Sequence, residues 1–326
     1  MTLTRLAFKT AVAGLLVAGC SAIVSTRTDR REAEAEAQFP PIGQFTEVEG
    51  RRVHYVQKGD GPDLVLLHGA SGNLREFTFR FVDQVKDRYR VTVFDRPGLG
   101  YTELAPNLRD PWGNDGEAPL QQASLLAAAA RAIGVDRPIV LGHSYGGAVA
   151  MAWALDHAPS AVVVVSGATQ PWEGGLGPLY TVNGSKFGGS VVVPLISAFT
   201  TDNVVRGAVA GIFDPQEPPD GYLDHIGAPL TLRADSFRAN ARQVNTLKPH
   251  VIHMSQRYPE LRLPVEIVHG TADEVVPIHI HSEKLVNQIE GATLHRLPGI
   301  GHMPHHVAMP AVVDAIDRAA FRAGLR

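Results

Sequence analysis

This 326-residue sequence predicts an α/β fold: a mostly parallel sheet, helices on both faces, and an inserted helical cap. Three observations predict it. Apolar runs of four to six residues, such as DLVLL at 63–67 and AVVVV at 161–165, alternate with helix-forming stretches. Parallel strands buried on both faces have this pattern. Polar and glycine residues (His68, Asp95, Ser144, His269, Gly270) follow the strand ends, where such sheets bind ligands. The rhythm then breaks over residues 171–258, whose glycine- and proline-rich loops and amphipathic pieces read as a helical cap between two core strands.

Composition narrows the class further. Thirty Lys and Arg against 33 Asp and Glu give a net charge of −3, which leaves no basic excess for nucleic acid. A single cysteine excludes an internal disulfide framework.

The chain opens with Arg5 and Lys9 before an apolar stretch at residues 10–19, the layout of a signal peptide over residues 1–19. That stretch is shorter than the roughly 20 apolar residues a bilayer span needs. The junction Val17-Ala18-Gly19-Cys20 resembles a bacterial lipoprotein processing site. The resemblance implies cleavage before Cys20, lipid attachment there, and a membrane partner through that anchor. The implied place is the cell envelope facing the periplasm, at the outer membrane because Ser21 is not an acidic retention signal. Residues 20–44 are polar, charged and then proline-broken, which reads as a tether.

The first part of the core is expected over 45–170 and the second over 259–326. Alternation around Gly50 at 45–57 predicts a hairpin. Strands are expected at 63–67, 91–94, 138–141, 161–165, 265–268 and 293–297, which with the hairpin makes eight. Helices are expected at 74–85, 124–133, 145–157, 281–289 and 311–323, and as cap pieces at 191–198, 204–213 and 232–247.

The sharpest chemical signal is Gly142-His143-Ser144-Tyr145-Gly146, between an expected strand and an expected helix. A serine on so tight a turn is held in a strained backbone with its hydroxyl pointing out of the sheet. The following helix N-terminus offers free N–H groups to a developing oxyanion. A serine hydroxyl is a weak nucleophile and needs a positioned base, which needs an orienting acid. Asp273 lies in the loop after one strand and His302 after the last, in the chain order Ser, Asp, His.

These motifs, with His68-Gly69-Ala70-Ser71-Gly72 and the turn from Asp95 to Gly100, resemble the α/β-hydrolase superfamily over residues 45–325. The resemblance implies Ser144 as nucleophile, His302 as base and then acid, and Asp273 as the residue fixing the imidazole tautomer. It implies an oxyanion hole from the backbone N–H groups of Tyr145 and Ala70. The expected reaction is hydrolysis of a small-molecule carboxylic ester, fairly apolar and neutral, with no cofactor and no metal. A carbon–carbon bond hydrolase, a cofactor-free perhydrolase or haloperoxidase, a metallohydrolase and a silent lipid-anchored binding protein remain as alternatives.

Rival residues have plainer readings. Glu274 competes with Asp273, but the shorter side chain suits the role. Asp95 reads as a loop stabiliser, and Arg96 as a surface ion pair rather than a contact to an acidic substrate. His279, His281, His305 and His306 suggest zinc, yet no carboxylate stands at ligand spacing, so packing or solvated histidines are expected. His68 and His143 are expected to hydrogen-bond backbone or line the pocket.

Overall fold

The computed structural model describes the backbone of residues 2–326 and the side chains of residues 19–326. Eight strands form one sheet: β1 (Gln44–Val48), β2 (Arg51–Lys58), β3 (Asp63–Leu67), β4 (Arg90–Phe94), β5 (Ile139–His143), β6 (Ala161–Val165), β7 (Val265–Gly270) and β8 (Thr293–Leu297). Their spatial order is β1-β2-β4-β3-β5-β6-β7-β8. β1 and β2 pair antiparallel, β2 runs antiparallel to β4, and every later pairing is parallel. Glu49 and Gly50 both take positive φ in the hairpin turn, which matches the twist of the paired strands.

Side-chain alternation explains why the strands read as unbroken apolar runs. In β3, Val65 and Leu67 join the core on one face, while Leu64 and Leu66 join the core on the other. The first face is covered by α4 (Pro119–Ala132) and α5 (Tyr145–His157), and the second by α2 (Arg75–Thr78), α3 (Phe81–Val85) and α15 (Met309–Arg322). Both faces are therefore dry.

Between β6 and β7 the chain leaves the sheet and runs through α6 (Pro178–Asn183), α7 (Val193–Phe199), α8 (Asp202–Phe213), α9 (Tyr222–Ile226), α10 (Ala228–Thr231), α11 (Ala234–Asn245) and α12 (Leu247–Ser255). After β7 come α13 (Ser282–Gln288) and, beyond β8, α14 (Pro304–Val307).

Three expectations change. The single helix expected at 74–85 is two short helices, because Arg80 takes φ −149° between them. The helix expected from 124 starts at Pro119, where proline suits the first helical position and the Gln121 side chain accepts the Ala118 N–H. The tether expected at 20–44 is mostly helix: α1 (Thr2–Gln38) is continuous, and its C-terminal part packs on the cap. Arg27 and Arg31 donate to the Ala198 carbonyl, Glu32 accepts the Ala234 N–H, and Glu36 pairs with Arg233. Ala35 and Phe39 bury against Leu230. Composition showed the charges of this stretch, but not the cap surface that satisfies them. Among the described residues no helix is long and apolar enough to cross a membrane. Cys20 is a free, exposed cysteine on α1.

Candidate active site

The turn from β5 into α5 places Ser144 at the centre of the sheet. Its φ of 54° and ψ of −119° form a conformation that side-chain-bearing residues rarely adopt. Such strain costs on the order of 1–3 kcal/mol and needs its surroundings to hold it. Here the Ser144 N–H donates to the Val165 carbonyl at 3.0 Å, and the Ser144 carbonyl accepts from Gly147 and Ala168, each at 3.0 Å. The flanking glycines are steric necessities. A Cβ on Gly142 would strike the Gly146 carbonyl, and one on Gly146 would strike the Leu67 carbonyl.

Asp273 is fixed from both ends. Its Oδ1 accepts the N–H groups of Val275 and Val276 at 3.0 and 2.8 Å, while Oδ2 faces His302 Nδ1 at 2.8 Å. His269 Nε2 lies 3.1 Å from the same Oδ2. Burial acts to raise the Asp273 carboxyl, but hydrogen bonds from His269 and His302 overcome it and hold the group far below the usual carboxylate range. Glu274, its competitor, points to solvent. His302 is lowered, mainly by burial, against the opposing Asp273 hydrogen bond. Its imidazole is thus neutral at neutral pH, with Nδ1–H given to Asp273 and Nε2 left as the basic nitrogen.

Ser144 and His302 line the same cavity, of about 770 Å³. Among the described residues no hydrogen bond joins Ser144 to the His302 ring, a leg that commonly tightens only when substrate seats. Tyr145 and Ala70 line the cavity too, and among the described residues the backbone N–H of neither meets an acceptor. Two free amides beside a strained serine suit a developing oxyanion.

Arg96 departs from expectation. It is fully buried, and its guanidinium donates to the carbonyls of His68 and Gly69 at 2.9 Å each, bracing the loop that presents Ala70. Only the assembled fold puts two inward-facing carbonyls beside it, so it is neither a surface pair nor a substrate contact. His68 donates to the Gly69 carbonyl and accepts the Arg96 N–H, and burial lowers it to about 4. Asp95 ties its loop through the N–H groups of Leu74 and Tyr101.

One residue carries more than its sequence signal. Glu76, on α2, is buried beside the histidine that precedes Ser144, 2.9 Å from His305 Nε2 and 3.1 Å from His143 Nδ1. A carboxylate does accompany the histidine cluster, then, contrary to expectation. It arrives from 229 residues away, where local spacing has no reach. Burial works to raise Glu76, and the neighbouring imidazoles of His143 and His305 outweigh it, keeping the group ionised. His279 is exposed, and His281 Nδ1 accepts the Gln170 N–H.

Most of the remaining lining is apolar cap surface, including Leu176, Tyr180, Ile196, Val209, Ile212 and Phe237, with Glu173, Thr200 and Thr231 as polar cap members. Among the described residues no Lys or Arg lines it.

Comparison with known proteins agrees with this architecture. Residues 64–315 match the alpha/beta hydrolase family. A 139-residue stretch is 36% identical to the dihydrolipoyllysine-residue acetyltransferase component of an acetoin cleaving system from Cupriavidus necator, over 42% of this chain and 33% of that protein. The chain therefore spans only a third of that relative. A 2-hydroxy-6-oxononadienedioate/2-hydroxy-6-oxononatrienedioate hydrolase from Paraburkholderia xenovorans is 26% identical over 290 residues, covering 84% of this chain and 93% of the relative. The crystal structure of an alpha/beta hydrolase fold protein from Burkholderia ambifaria superposes with a TM-score of 0.66 at 25% identity, over 84% of this chain and 97% of that one. The chain is a hydrolase that belongs to the alpha/beta hydrolase family.

Proposed function

We propose that this hydrolase cleaves a neutral, apolar carboxylic ester through an acyl-enzyme on Ser144. Ser144 Oγ attacks the carbonyl carbon while His302 Nε2 takes its proton, and Asp273 holds the imidazole in the productive tautomer. The oxyanion forms against the N–H groups of Tyr145 and Ala70, each worth about 3 kcal/mol in such a hole. Collapse expels the alcohol, which leaves with the proton from His302. Water, deprotonated by the same nitrogen, then attacks the acyl-enzyme and releases the acid.

The charge of the cavity carries the choice of substrate. Among the described residues its lining has no Lys or Arg, and it holds the buried anion of Glu76. The Paraburkholderia relative is named for dioates, which carry two carboxylates. A dianion entering this cavity would lose its hydration against apolar walls with no lysine or arginine to replace it. A neutral ester suffers no such penalty.

A panel of p-nitrophenyl esters of increasing acyl length, run beside a dioate ketone, tests the reading. Turnover of esters with none of the dioate is expected, and Ser144→Ala should lower kcat by several orders of magnitude in a folded protein. Undiminished ester turnover in Ser144→Ala, or preference for the dioate, overturns it. We also propose that lipid attachment at Cys20 tethers the enzyme to a bacterial envelope membrane, with α1 leading from the anchor to the cap. Cys20→Ser should move the protein from the membrane to the soluble fraction, and unchanged fractionation refutes this anchor.

A further inference from the structure

Glu76 on α2 and His143, just before Ser144, line the cavity, and His305 on α14, outside that lining, meets Glu76. One donor atom from each lies within 4.8 Å of the other two. Proton placement decides what this cluster can hold. His143 Nε2 is 2.9 Å from the His302 carbonyl, which can only accept, so Nε2 carries the hydrogen. A neutral His143 ring then presents a bare lone pair at Nδ1, 3.1 Å from Glu76 Oε1 and without a hydrogen bond. Two acceptors facing each other in a buried site require a positive charge between them or on the ring.

The opposite imidazole can adapt. His305 Nε2–H donates to Glu76, while His305 Nδ1 is buried with no partner among the described residues. Moving that proton to Nδ1 disturbs no bond there and turns Nε2 into a second lone pair. Phe77 and Phe81 pack on the His305 ring and keep water from it.

We propose that Glu76, His143 and His305 form a binding site for a divalent transition metal of the zinc class, against the cavity wall that Glu76 and His143 supply. Two imidazole nitrogens and one carboxylate oxygen are a donor set that zinc takes with a fourth position left for water. Imidazole donors also favour zinc, cobalt or nickel over calcium and magnesium. With bonds of about 2.1 Å, a tetrahedral centre needs donors about 3.4 Å apart. The observed 2.9 and 3.1 Å to Glu76 Oε1 require shifts of a few tenths of an ångström. Glu76 and His143 line the cavity, so the site adjoins it.

The test is metal uptake by the full, chelator-stripped chain. Co²⁺ should give visible d–d absorption saturating at one ion per chain, and Zn²⁺ should displace it. Glu76→Gln and His305→Ala should each weaken Zn²⁺ binding at least tenfold, while His279→Ala, at an exposed histidine outside the cluster, should leave it unchanged. Circular dichroism melts establish that each variant is folded, and His305→Gln replaces any variant that is not. Uptake of no ion by the wild type overturns the proposal, as does undiminished binding in folded Glu76→Gln and His305→Ala. Binding lost in His302→Ala yet kept in Glu76→Gln would place the ion on the Asp273–His302 pair and overturn it equally. Ester turnover is assayed separately in chelator, so the hydrolase reading depends on Ser144 and this one on the ion.

Discussion

Two buried carboxylates flank the proposed reaction centre, each between two imidazoles, and they are built to different standards. Around Asp273 every ring nitrogen of His269, and Nδ1 of His302, has a partner. Two backbone amides hold Oδ1, and His269 is pinned by Ser282 at Nδ1 and by the Val276 carbonyl at Nε2. Around Glu76 the rings are underdetermined. Among the described residues His143 Nδ1 and His305 Nδ1 lack hydrogen bonds, as do both ring nitrogens of the neighbouring His306, all of them buried. A group that must present one tautomer to a nucleophile needs the first kind of surroundings. A group that exchanges a proton for another cation can use the second.

The largest expected effect tests that difference directly. Asp273→Asn should lower kcat by about 10⁴-fold, because an amide stabilises the wrong tautomer of His302. Glu76→Gln should cost less than about 10²-fold, because no reacting proton passes through it. Steady-state kinetics on both variants with one ester decide it, and equal losses would break the comparison.

Acid stability sharpens it at a smaller scale. His68 and His281 are buried without a carboxylate hydrogen bond, and burial lowers each to about 4. Between the unfolded value near 6.5 and the folded value near 4, the unfolded chain binds the extra protons, so stability falls as pH falls. The loss is at most about 1.4 kcal/mol per residue for each pH unit. Asp273 and Glu76 are depressed instead, so the stability they add persists above their unfolded values near 4 and is lost only below that. Urea melts from pH 7 to 3 should show two stages, with the upper one reduced in a His281→Gln variant.

How much of this could be read beforehand depends on sequence distance. Strand runs such as residues 63–67 and 161–165 announce a doubly covered sheet, because burial on both faces leaves no polar alternation. Ser144 is equally legible, since Gly142 and Gly146 mark a turn where backbone approaches backbone. Asp273 and His302 each follow a strand end, and the hydrogen bond between them closes as that position suggests. Glu76 is not legible. One charged residue in a four-residue helix carries no periodic signal, and its partners stand 67 and 229 residues away. The docking of α1 was hidden for the same reason, with its partners on the cap more than 160 residues on.

The amino-acid order alone settled the sheet, the strained turn at Ser144 and the succession of serine, aspartate and histidine, because each is written in local spacing and backbone sterics. Burial of charge was decided by the tertiary structure. Arg96 became a brace, Glu76 a buried anion and residues 20–38 a docked helix, because each depends on distant groups that meet only when the chain has folded.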